Sequence, residues 1–82
     1  MRKGRGTLRN KSSRQVAELL RHYRYSLERP GPHERWVRYE GETPRYAFVP
    51  AGRAAIAPKT LLSILEQAGI SKEEARRFWH EK

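Results

Sequence analysis

Pro30-Gly31-Pro32-His33-Glu34-Arg35-Trp36 places a histidine directly after a turn, with Arg29 before the turn and Arg35 two residues beyond the ring. An imidazole changes charge near neutral pH and can move a proton in either direction. Arginine forks match the oxygens of a phosphate. These groups suit a phosphodiester that carries its own nucleophile, the 2′-hydroxyl of RNA. Cleavage there needs a base for the hydroxyl proton and cations for the charge that develops. A surface histidine in a turn is the other reading of the same residues.

Composition narrows the chemistry. The 82 residues contain neither Cys nor Asp, which leaves no disulfide, no thiolate metal site and no Ser-His-Asp triad. His22, His33 and His80 are too far apart to form a metal-ligand motif, and no glycine pattern matches a phosphate-cradling loop. No metal or other cofactor is expected. Eighteen Lys and Arg against nine acids give a net charge of +9, which draws the chain towards polyanions. Arg29, Arg35, Arg45, Arg53 and Lys59 are the candidate phosphate contacts, with a solvated charged face as the alternative for each. The apolar stretches are too short to span a bilayer, and no apolar run follows the basic N-terminus, so no membrane is expected and a cytoplasmic location is.

These residues must be positioned by a small single domain. Residues 1–11 read as a flexible basic arm, and 12–82 as the domain. Ser12 and Gln15 form a capping box ahead of Val16, Leu19, Leu20 and Tyr23, which recur at helical spacing. Tyr25, Leu27 and Arg29 alternate with Ser26 and Glu28, as in a strand. His33 to Tyr39 and Arg45 to Val49 read as two more strands, separated by Glu40-Gly41-Glu42-Thr43-Pro44. Short turns predict antiparallel pairing. Tyr23, Trp36, Phe48 and Trp79 are candidate base-stacking rings, but rings at strand and helix spacing are more often core. Trp36 and Phe48 are therefore expected inside, and Tyr25, Tyr39 and Tyr46 are left open between core and surface. Pro58 opens a helix with Leu61, Leu62, Ile64, Leu65 and Ala68 on its buried stripe. Gly69 ends it, with Ile70 folding back on Leu65. Ser71 and Glu74 cap a last short helix bearing Ala75, Phe78 and Trp79. The expected architecture is α+β: a three-stranded antiparallel sheet with helices over one face.

Two segments carry a resemblance to the HicA-like toxins of bacterial toxin–antitoxin systems. Gly31-Pro32-His33-Glu34-Arg35-Trp36 resembles that family's Gly-Ser-His-x-x-Phe signature. Phe48-Val49-Pro50, followed by Pro58-Lys59-Thr60-Leu61-Leu62-Ser63-Ile64-Leu65-Glu66-Gln67-Ala68-Gly69-Ile70, resembles its Val-Pro and following helix. The resemblance spans Ser12 to about Phe78. It implies a double-stranded-RNA-binding-domain-like α-β-β-β-α fold and a metal-independent, messenger-RNA-cleaving toxin. It also implies a HicB-like antitoxin partner and places the catalytic histidine at His33. Pro32 stands where the family has Ser, and Gly52 where a second histidine is often found. Those two departures favour the runner-up, an RNA-binding module of the same fold without turnover. A protein-binding adaptor with an acidic partner is the reading from a different class.

Overall fold

Ser12 opens α1 (Ser13–His22) through a complete capping box, its hydroxyl accepting from the Gln15 N–H while the Gln15 side chain accepts from the Ser12 N–H. In the computed structural model, which describes residues 8–80, α1 is followed by β1 (Ser26–Arg29), β2 (His33–Glu40), β3 (Thr43–Pro50), α2 (Pro58–Ala68) and α3 (Lys72–His80). The strands form one antiparallel sheet in the order β1-β2-β3. This is the α+β, double-stranded-RNA-binding-domain-like α-β-β-β-α order, with α3 as the extra C-terminal helix.

Local chemistry sets the remaining boundaries. Gly41 and Glu42 join β2 to β3, with Glu40 opposite Thr43 and Gly41 at a φ of 67°, the positive angle that glycine adopts without a Cβ clash. Strand β3 therefore begins two residues earlier than the sequence predicts. Pro44 is tolerated because β3 is an edge strand. Pro58 starts α2 and Gly69 stops it in the left-handed conformation. The N–H of Ile70 donates to Leu65 O and that of Gly69 to Glu66 O, the two bonds of a Schellman stop. Ser71 and Glu74 exchange the expected pair of capping bonds.

One face of the sheet is covered. Trp36, 1 % exposed, packs with Val16, Leu19, Leu20, Leu61, Ile64 and Leu65 from α1 and α2, and with Ala47 and Val49 from β3. Ala75 and Trp79 join this core from α3. The Tyr25 hydroxyl donates to Ala68 O at 2.8 Å, and burial pushes that phenol's pKa above its ordinary value.

Phe48 departs from expectation. It is 46 % exposed, not core. The alternation of β3 gives the inner face to Ala47 and Val49, so residues 46 and 48 must point away. Ala47 lies opposite Trp36, and the small residue makes room for the large one.

Residues 1–7 of the expected basic arm lie outside the described residues, as do 81 and 82. The rest of that arm belongs to the domain. Leu8 packs on the core, and the N–H of Ile56 donates to Lys11 O at 2.8 Å. The Lys11 ammonium sits 4.8 Å from the Trp79 ring centroid, and burial lowers its pKa.

Candidate nucleic-acid interface

A strand shows alternate side chains to opposite faces, so the pairing register defines the uncovered face of the sheet. Its cross-strand rows are Tyr39 with Pro44, Val37 with Tyr46, Arg35 with Phe48, and His33 with Pro50. In β1 one extra residue, Glu28, is inserted between the rows of Leu27 with Trp36 and Arg29 with Arg35. This bulge breaks the simple alternation. It leaves Leu27 on the helix side and sets Arg29 beside Arg35 on the open side.

His33 is the first residue of β2 and is exposed. Its ring makes no hydrogen bond with any side chain or backbone group among the described residues. Arg35, one row away, donates from Nε to Glu28 Oε1 at 2.7 Å, and its guanidinium lies 5.3 Å from the Tyr46 ring centroid. The register therefore brings His33, Arg29 and Arg35 together at one end of the open face.

The other expected cations lie elsewhere. Arg45 is on the inner face, where its Nε donates to Gln67 O at 2.8 Å. Its neighbour across the sheet, Arg38, donates to Tyr23 O at 3.2 Å. Each arginine thus binds carbonyls at the C-terminus of one helix, α2 and α1 respectively, where the helix dipole is negative. Glu40 lies between them, in ion pairs with both. The hydrogen bond from Arg38, reinforced by the charges of Arg38 and Arg45, holds the Glu40 carboxyl below its usual pKa. Lys59 is exposed in the first turn of α2.

Arg53 borders an open groove of about 480 Å³ on the helix side. Arg14 and Arg21 of α1 line it too, over Ala17, Leu27 and Trp36. Arg21 sits 5.0 Å above the Trp36 ring, and the indole N–H of Trp36 donates to Glu34. Ser13 holds the loop of Arg53 in place. Its buried hydroxyl donates to Pro50 O and accepts from the Arg53 N–H at 2.9 Å, while its own N–H donates to Arg53 O at 3.0 Å. Ala51 N also donates to Pro32 O, at 2.9 Å, which ties the same loop to the turn before His33.

Sequence reasoning missed Ser13, because a second serine beside a cap carries no distinguishing local signal. It also missed Tyr46 and Phe48 as a surface pair, although counting by twos from Val49 shows both on one face. No group of three or more His, Cys, Asp or Glu suited to a metal ion occurs among the described residues. No described helix is long and apolar enough to cross a membrane.

Fold and site together define a small α+β domain with a sheet face that the described helices leave open, bearing aromatic rings, arginines and the exposed imidazole of His33. Comparison of the chain with protein-family models, curated proteins and solved structures gives no match.

Proposed function

We propose that this chain is an RNA-cleaving protein of the HicA-like toxin type, with His33 as its proton-transfer residue and messenger RNA as substrate. The observation that carries the reading is the position of His33. Its exposed ring stands at the end of a sheet face that no described helix covers, beside Arg29 and Arg35, with no hydrogen bond among the described residues to hold it. There it is free to take the 2′-hydroxyl proton as that oxygen bonds to phosphorus and the P–O5′ bond breaks, the leaving 5′-oxygen taking a proton from water, while the arginines meet the phosphate. The catalysis needs no metal. A HicB-like antitoxin is the protein partner that goes with this reading, and messenger RNA as target places the activity in the cytoplasm.

The test uses end-labelled RNA in EDTA. The expected products carry cyclic phosphate ends and disappear with His33→Ala, while folding stability changes by no more than about 0.5 kcal/mol, as for an exposed residue. Full cleavage by His33→Ala would remove His33 from the reaction. A second reading, binding without turnover, is favoured by the Glu28 carboxylate, which already occupies the Nε of Arg35. Tight, salt-sensitive binding that leaves the RNA intact would select it.

A further inference from the structure

The open sheet face carries more ring surface than proton transfer at His33 requires. Tyr39, Tyr46 and Phe48 are 60 %, 36 % and 46 % exposed, on successive rows of that face. The rows are about 7 Å apart, two residues of strand rise. The Tyr46 and Phe48 rings lie side by side with centroids 6.4 Å apart. The Arg35 guanidinium, ion-paired with Glu28, lies over one side of the Tyr46 ring at 5.3 Å from its centroid, and Arg29 and His33 complete the rim at one end.

Two adjoining exposed rings, Tyr46 and Phe48, with Tyr39 one row further, call for an occupant. A second copy of the chain is disfavoured by the net charge of +9 that both copies would carry. The rim asks for anions and the rings ask for flat π surfaces. One polymer offers both, an unpaired nucleic-acid strand. In a duplex the base faces are stacked away and only edges, sugars and phosphates remain to be touched.

We infer that this face is a stacking platform for unpaired RNA bases, with Phe48 and Tyr46 as its central contacts. The inference rests on the RNA reading above and specifies which RNA is taken. A strand stacked on Tyr46 and then on Phe48 arrives, one row further, at His33 and Pro50. Base stacking thereby positions the phosphodiester that His33 meets. The overall fold resembles a duplex-binding domain, but the exposed chemistry of this sheet selects single strands.

The test compares binding of the full chain to a short single strand and to a blunt duplex of the same sequence by fluorescence anisotropy. Both probes are 2′-O-methylated, so that the nucleophilic hydroxyl is blocked. The single strand is expected to bind on the order of tenfold more tightly. Phe48→Leu, which keeps apolar bulk and loses the π face, is expected to weaken single-strand binding on the order of tenfold. Phe48→Tyr should restore it. The salt dependence should be the same for Phe48→Leu and the parent, because no phosphate contact is removed. Equal binding of strand and duplex, indifferent to Phe48→Leu, would overturn the inference and leave the RNA reading standing. A sedimenting dimer that Phe48→Leu dissociates, with RNA binding untouched, would also overturn it by making the face a contact between copies. Failure to bind either probe at low salt would remove the RNA reading and this inference with it.

Discussion

Replacing Gly69 with Ala tests the joint between α2 and the sheet. Gly69 has a φ of 71°, and a Cβ added there would lie 2.9 Å from Arg45 Cζ and 3.0 Å from both terminal nitrogens. The left-handed backbone alone costs alanine about 1 kcal/mol relative to glycine. The guanidinium is the end of a flexible side chain, so it moves aside instead of straining the backbone. In moving it gives up its bonds to Gln67 O at 2.8 Å and Glu66 O at 3.5 Å. The Arg45 side chain is 40 % exposed, and the loss of these bonds is worth about 1 kcal/mol after allowing for solvent. Gly69→Ala should therefore cost about 2 kcal/mol, a fall in Tm of roughly 10 °C for a domain of this size. With Arg45→Ala already present, the same change should cost only the backbone term of about 1 kcal/mol. Denaturant unfolding of the four proteins, followed by circular dichroism, measures that coupling. Costs that add to within about 0.3 kcal/mol would refute the account, since distant and independent sites behave that way. The cycle also bears on function. An arginine bound to helix carbonyls should lower stability when removed and leave the salt dependence of RNA binding unchanged.

Trp36→Ala should cost about 3–5 kcal/mol, most of the stability of a small domain, and unfolding curves should show the loss of a cooperative transition at or near 25 °C. Glu28→Gln removes the carboxylate beside Arg35 and should strengthen RNA binding a few-fold, with a steeper salt dependence; unchanged affinity would mean that Arg35 does not meet phosphate. Glu40 has a folded pKa below its ordinary value of 4.5, so its contribution to stability is present above that value and is lost as the pH falls through the folded pKa. Thermal melts should accordingly show a shallower loss of stability below pH 4.5 for Glu40→Gln than for the parent.

The helices were legible in the sequence because their signals are local. Ser12 with Gln15, Pro58, Gly69 with Ile70, and Ser71 with Glu74 act within one turn of backbone, and each forms the bonds its spacing predicts. The turn at Pro30-Gly31-Pro32 likewise put His33 at the first position of a strand. Which way strand residues face was less legible. Pattern alone put Phe48 inside, because a large ring is usually core, while the packing of two helices onto Trp36 requires the small Ala47 on that side.

Whether five basic residues form one site is a question about register, and register is set by contacts far apart in the chain. The sheet brings Arg29 and Arg35 to His33 and turns Arg45 inward to the carbonyls of α2. Arg53 goes to the helix side, held there by the buried hydroxyl of Ser13. The sequence by itself determined the charge, the order of elements, where each helix starts and where α2 stops. Only the tertiary structure decided which cations share a face with the histidine, because that depends on strand alternation, one bulge and the helix ends that consume two of the arginines.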